Sequence, residues 1–381
     1  MGFFYNGGGE RTVLNQALEL GRRGHEVEVF APIVNADCFP ELRKEVRLTE
    51  TSSLLPPSMP LRNALGMIHS SVLVPMKRLS GFDTIVAHGQ PSVWMAVNVK
   101  KRYGTPVIAY LHQVNRFFSP RDVDKDTGWT TDNNLLILEA LHRGNLILKK
   151  LDSYSVKNSD VVLTNSEWIK RKIIDYYGVT PNVCYPGVNS AKFRKSNRGR
   201  GAVYLLSTNR HYPQKRLDYL LHCMRALVKH YPNLMCYITG GFTKHTRYLM
   251  KITERYNLAG NVVFTGNLPT GELIKLYQNA YTYTFTSPEE DFGLGPIEAA
   301  ACGVPSVVWD NAGPKETVIH GRTGFRATPY SVKELASFHR QLIENPALRD
   351  EMGEKAYKYS RKKFTWEKHV DVLEDFLLKV C

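Results

Sequence analysis

Apolar positions along this chain alternate between two periods. From Arg11 to Gly24 they recur at helical spacing and stop on a glycine, and His25 to Ala31 then alternates apolar with polar as a strand does. Residues 82–89 and 105–112 read as two further strands with a helix, 91–104, between them, and 160–166 as another short buried strand. Between them lies an irregular stretch, 113–135, leading into a helix near Asn134–Ser153. The pattern resumes further on. Strands at 202–207, 234–239, 261–266, 281–287 and 305–310 are separated by amphipathic segments at 216–231, 248–257 and 272–280, with a further helix before the last strand. Such alternation predicts parallel sheets with helices on both faces. The polar, basic stretch 189–201 has few residues able to build a core, so it is read as a linker. The expected organisation is an α/β chain of two tandem doubly wound domains, 1–188 and 202–360. A C-terminal helix within 361–381 is expected to pack back toward the first domain.

Length and composition narrow the function classes. A chain of 381 residues has room for two cores, and an apolar share of 43% with 23% charged residues excludes a disordered or coiled-coil chain. The formal charge of +14 calls for anionic partners, whether nucleic acid, lipid headgroups or phosphorylated small molecules. The six cysteines are scattered with no CxxC pair, which argues against a zinc ribbon or thioredoxin-like site and for a reducing compartment. No secretory signal pattern and no membrane-spanning apolar run is read, so a cytoplasmic location is expected.

Tandem doubly wound domains place the carboxyl ends of both sheets around one interdomain cleft, where such sheets bind ligands. Three strand-end clusters carry candidate chemistry. Asn6-Gly7-Gly8-Gly9-Glu10 opens the first helix, where glycines expose backbone N–H groups to an anion, although a glycine turn is also a common structural need. The run lacks the GxGxxG dinucleotide pattern, and no acidic residue ends the next strand. Arg210 and Lys215 follow the 202–207 strand, and two fixed cations there would neutralise a diphosphate; a solvated basic turn is the plainer reading. In Pro288–Ala300, Glu290 and Glu298 are two carboxylates separated by a glycine-proline turn, with the backbone of Phe292, Gly293 and Leu294 between them. They can hold hydroxyls of a polar ligand while the amides face its phosphates; Glu298 could instead only complement the helix dipole.

Taken together, Arg210 and Lys215, Glu290 and Glu298, the AACGVPSVVWDNAGPKETV run at 300–318, Gly321–Phe325, the glycine loop and the strand-end His112 resemble glycosyltransferase family 4 over nearly the whole chain. The resemblance implies the GT-B fold of two Rossmann-like domains and retaining glycosyl transfer from a nucleoside diphosphate sugar, with no metal and no cofactor. It further implies that Arg210 and Lys215 bind the donor diphosphate, approached by the backbone of Gly7 and Gly8. Glu298 would hold the ribose, Glu290 the hexose hydroxyls, and the amides around Phe292, Gly293 and Leu294 the sugar and phosphate. His112, with Glu290, would be the catalytic pair, contacting the donor sugar near its reacting carbon. The DxD pattern of the other transferase fold occurs at Asp122, Asp124 and Asp126, but in a charged loop read as a solvated turn. The family normally begins with a strand of several apolar residues before the glycine loop, whereas only Met1–Tyr5 precede it here, so the first strand is expected to be very short or truncated.

Acceptor choice is assigned to 113–135 and to 54–81, which mixes apolar residues with Arg62, Lys77 and Arg78 and could rest on an anionic membrane surface, though a core helix accounts for it too. Partial similarity of 110–116 and 207–216 to dolichol-pathway mannosyltransferases favours GDP-mannose as donor over a UDP-hexose, and a glycan or lipid-linked acceptor. The competing readings are a nucleotide-sugar epimerase, a phosphorylase and a basic nucleic-acid-binding protein. The last is disfavoured because the lysines and arginines are scattered.

Overall fold

A computed structural model of the chain describes residues 3, 7–51, 76–116, 118–128, 146–196 and 203–381. The expectations for the first strand beyond Phe3, for 54–75, for 129–145 and for the end of the linker lie outside the described residues. The chain divides into two compact units. One comprises Met1–Pro120, Thr130–Gly187 and Trp366–Cys381, and the other Arg121–Trp129 and Val188–Thr365. Arg121–Trp129, placed with the first domain on sequence, therefore belongs to the second unit.

In the first unit, β3 (Ile85–His88), β4 (Val107–Leu111), β5 (Val161–Thr164) and β6 (Asn182–Val183) form a parallel sheet in that order. The helix Ser92–Tyr103 joins β3 to β4, as a parallel pair requires a crossover. Every residue of β4 is buried. Val107, Ala109 and Leu111 pack on one face with Val93, Val97 and Ile173. Ile108 and Tyr110 pack on the other with Leu20, Val370 and Leu373. This double burial explains the unbroken apolar run in the sequence. The helices Gly8–Arg22 and Trp366–Val380 pack together. Arg23 bonds Asp371 and Glu374 at 2.8 Å each, and His25 Nε2 lies 2.7 Å from Glu374.

A second, two-stranded parallel sheet, β1 (Glu28–Ala31) with β2 (Arg47–Glu50), is not hydrogen-bonded to the first. A cavity of about 470 Å³ is lined from both sheets, by Val29 and Phe30 of β1 and Ile85 and Ala87 of β3, and by Ala17 and Leu377 from the two helices.

In the second unit, β7 (Tyr204–Thr208), β8 (Met235–Thr239), β9 (Val262–Gly266), β10 (Thr282–Phe285), β11 (Ser306–Trp309) and β12 (Gly324–Ala327) pair in parallel in the order β12-β11-β10-β7-β8-β9. The winding reverses between β7 and β10, and doubly wound sheets bind ligands at the carboxyl ends of the strands flanking such a reversal. Buried polar residues in the central strands are satisfied in place. Thr282 and Thr284 hydroxyls meet His339 Nδ1 and Nε2 at 2.8 and 3.0 Å, and burial pushes that imidazole down to about 3.

Candidate active site

The loops after β7 and β10 are bonded directly to each other. After β7, the chain makes a tight turn at Pro213–Lys215, and Arg216, at φ +48°, turns it into the helix Leu217–Leu227. The chain leaving β7 lies close against the end of β8: a Cβ on Gly240, itself at φ +124°, would lie 2.1 Å from the Asn209 carbonyl oxygen. The turn presents Lys215, whose Nζ donates to Glu290 Oε2 at 2.5 Å. Ser287 Oγ donates to the same oxygen at 2.8 Å, and Thr286 Oγ1 to the Lys215 carbonyl at 3.1 Å. Burial would raise the Glu290 carboxyl, but the Lys215 charge and hydrogen bond, with Ser287 and the more distant Arg121, hold it down at about 2. It is ionised at neutral pH. Arg210, on the same loop, stacks over Tyr212 at 5.0 Å.

Glu298 lies on the helix Leu294–Ala301, which starts at Gly293 with φ +97° and has no side-chain cap. It is 5% exposed, and its Oε2 accepts from the Tyr277 hydroxyl at 2.8 Å. Thr208 Oγ1, at the end of β7, sits 2.6 Å from Tyr277 Oη and 2.9 Å from Tyr283 Oη, so a hydroxyl chain runs from the strand end to Glu298. Gly295 leaves room for it, since a Cβ there would fall 2.0 Å from Tyr283 Oη. The Phe292 side chain is buried edge-on against Phe364, which leaves its backbone as the group a ligand could meet.

Sequence reasoning missed Arg121. Its guanidinium donates to the Glu289 carbonyl at 2.5 Å and to the Asp291 carboxylate, and the Val123 amide donates to Glu289 Oε2 at 2.9 Å. These bonds join the segment to the second unit, where its helix also packs on the Pro213–Lys215 turn. The reading of Asp122, Asp124 and Asp126 as a solvated turn holds for the exposed Asp122 and Asp126 and needs correction at Asp124. Residues Asp122–Thr127 form a short helix, and Asp124 is 1% exposed, its Oδ2 accepting from the Arg121 amide at 3.1 Å. The run of three acids at 289–291 was the available sign that a cation had to lie nearby.

In the first unit, Gly7 is the N-cap residue of the helix Gly8–Arg22, which begins without a side-chain cap; Gly7 is buried and Gly8 exposed. His112 follows β4, its Nε2 lying 3.1 Å from Nδ1 of His88 at the end of β3. Asn165 Nδ2 donates to the His112 carbonyl at 2.9 Å. Burial pushes the His112 imidazole down to about 3 and His88 well below its ordinary value, so both rings are neutral and share one proton across the contact. The structure thus brings Arg210, Lys215, Glu290, Phe292, Gly293, Leu294 and Glu298 to one strand reversal in the second unit. Gly7, Gly8 and His112 stand at strand and helix ends in the first. Among the described residues, no three His, Cys, Asp or Glu side chains are grouped to hold a metal ion.

Comparison with known proteins bears on the family and the fold. The family model described as Glycosyltransferase Family 4 matches residues 6–192, and the one described as Glycosyl transferases group 1 matches residues 188–359. The alpha-1,3/1,6-mannosyltransferase ALG2 of Mus musculus is 23% identical, over 98% of this chain and 94% of its own. The D-inositol 3-phosphate glycosyltransferase of Acidothermus cellulolyticus is 22% identical, over 96% and 84%. Among solved structures, Anabaena HepE in complex with UDP and glucose superposes with a TM-score of 0.78 at 18% identity, covering 99% of this chain and 97% of that one. Sucrose-phosphate synthase from Thermosynechococcus elongatus gives 0.80 at 17% identity, covering 98% and 94%. With both halves matched by consecutive glycosyltransferase models and the fold shared with such enzymes, the chain belongs to the family 4 glycosyltransferases of GT-B fold.

Proposed function

We propose that this enzyme transfers a hexose from a nucleoside diphosphate sugar to a hydroxyl of a glycan or lipid-linked acceptor, with retention at the anomeric carbon. The observation that carries the reading is the Lys215–Glu290 pair at the strand reversal, with Arg210 on the same loop. Departure of a nucleoside diphosphate builds negative charge on the leaving oxygen, and two fixed cations stabilise that charge as it develops. This role is assigned to Lys215 and Arg210, which would supply the charge that a metal ion brings elsewhere. Ionised Glu290 can only accept hydrogen bonds, so it selects a donor-rich partner such as sugar hydroxyls. Glu298, reached through the Tyr277 hydroxyl, takes the ribose. Phe292, Gly293 and Leu294 offer amides at an uncapped helix start, as do Gly7 and Gly8 at theirs. Neutral His112 offers a ring nitrogen to a hydroxyl of the donor sugar.

Mannose from GDP-mannose is the favoured donor, supported by the similarity to ALG2, a named mannosyltransferase; the UDP and glucose of the HepE complex support a UDP-hexose as the alternative. Among the described residues no helix is long and apolar enough to cross a membrane. The charge of +14 supports peripheral contact with an anionic cytoplasmic membrane face, where a lipid-linked acceptor would lie.

The test is a thermal-shift and transfer screen with UDP, GDP, ADP and CDP and their hexose conjugates. One nucleotide should raise the midpoint of the wild type and fail to do so in folded Lys215→Ala and Glu298→Ala. A GDP-selective shift with mannosyl transfer supports the full reading, and a UDP-selective one replaces mannose. No shift with any nucleotide refutes the donor site.

A further inference from the structure

Three acids in a row, Glu289, Glu290 and Asp291, follow β10, yet only Glu290 faces Lys215. Chain connectivity alone gives no reason for that choice, since all three share one short loop and repel one another. The other two are held from outside. The Asp291 carboxylate and the Glu289 carbonyl are gripped by the two prongs of Arg121, and the Glu289 carboxylate is taken by the Val123 amide. Arg121 is 15% exposed at its side chain and Asp291 22%, so this is a largely sheltered, bidentate contact rather than a surface pair. Its own base is fixed. Asp124 accepts from the Arg121 amide, Val123 is 3% exposed, and the helix Asp122–Thr127 packs on the Pro213–Lys215 turn. On the far side, the Gly313 amide donates to the Glu290 carbonyl at 2.9 Å, so the loop is pinned from two directions.

We propose that Arg121 is a positioning residue for the donor site, occupying Asp291 and the Glu289 backbone so that Glu290 alone is presented to Lys215 and to the donor sugar. The inference rests on the reading of Glu290 as the group that meets the hexose. Arg121 touches no reacting atom. Without it, the Asp291 carboxylate loses the guanidinium while staying on the same loop as Glu290, where it competes for Lys215, and Glu290 loses a nearby positive charge.

The experiment uses the full-length protein with four variants, Arg121→Leu, Arg121→Lys, Asp291→Asn and the double variant Arg121→Leu with Asp291→Asn. UDP-glucose and GDP-mannose serve as donors, and UDP and GDP as sugar-free controls. Arg121→Leu should lower nucleotide-sugar turnover about 10–100-fold, the loss expected for a charge-assisted contact, while UDP or GDP binding stays within about twofold of wild type. Arg121→Lys, which keeps the charge but not the fork, should fall between. The double variant should recover part of the loss, because the competing carboxylate is gone. A second readout needs no turnover. The carboxyl carbon resonance of Glu290 should titrate at higher pH in Arg121→Leu than in wild type, with Lys215 and Ser287 still facing it.

The proposal is overturned if folded Arg121→Leu matches wild type in turnover, if removing Asp291 restores nothing, or if the Glu290 titration is unmoved. Failure of the underlying reading looks different. Glu290→Gln would then leave turnover intact while the Glu290 resonance still responds to Arg121→Leu.

Discussion

Replacing Lys215 by methionine removes the ammonium 2.5 Å from Glu290 while keeping most of the apolar stem. A carboxyl held at about 2 against an ordinary 4.5 is favoured in its charged form by about 3 kcal/mol, at about 1.4 kcal/mol per pH unit. Because the Glu290 side chain is 21% exposed, water screens part of this and the figure is an upper value. The sign follows from linkage. The folded value lies below the unfolded one, so the stabilisation is complete above pH 4.5 and is lost as pH falls from there through about 2. In Lys215→Met, Ser287 and Arg121 remain to oppose burial without the ammonium, so the carboxyl rises and the folded variant takes up its proton at higher pH. Urea unfolding of wild type and variant, at steps from pH 7 to pH 3, measures the difference. The variant should be about 1–3 kcal/mol less stable at neutral pH, and the gap should narrow as pH drops below about 5. A gap that stays constant across this range would show that Glu290 is not held ionised by Lys215, and the electrostatic account of the site would be wrong.

Two further predictions follow from packing and protonation. Gly295→Ala should push Tyr283 off Thr208, lowering stability by about 1–3 kcal/mol and weakening nucleotide binding together, as read by thermal melting with and without UDP or GDP. His339 is fully buried between two threonine hydroxyls and held neutral, its value depressed from 6.5 to about 3. The stability it carries is therefore complete above pH 6.5 and falls with pH toward 3, by up to about 1.4 kcal/mol per unit. His339→Gln, checked by unfolding at pH 7 and pH 4.5, should show a shallower dependence than wild type.

What the sequence revealed and what it hid have a common cause. Local patterns were legible, because β4 is buried on both faces and so reads as an unbroken apolar run, and because the residues after β7 and β10 are strand-end loops whose place in a doubly wound sheet is fixed by topology. Lys215 and Glu290 could each be placed at the carboxyl end of the sheet on that ground, but their ion pair, across 75 residues of chain, had no signal in the sequence. Arg121 lies 170 residues from Asp291, on no strand end, and its partner could be found only from the folded chain. Asp124 was misread because a run of charges usually faces water, whereas here one carboxylate is spent on an amide at a helix start. Glu298 was recognised, but its tie to Tyr277, from the helix Thr270–Asn279, has no sequence signal.

The separation of β1 and β2 from the larger sheet of the first unit changes what holds the glycine turn in place. A two-stranded parallel pair is marginal by itself, and this one borders the cavity that β3 also lines. The helix Gly8–Arg22 that carries Gly7 and Gly8 at its start is secured from its opposite end, where Arg23 and His25 clasp Asp371 and Glu374 of the helix Trp366–Val380. The last helix of the chain thus serves as the splint for its first, and opening of this corner should begin with that clasp. Salt, which weakens exposed ion pairs before it touches the apolar core, then becomes a lever on the order of a loop more than twenty ångströms of helix away, since fifteen residues at about 1.5 Å each separate the two ends.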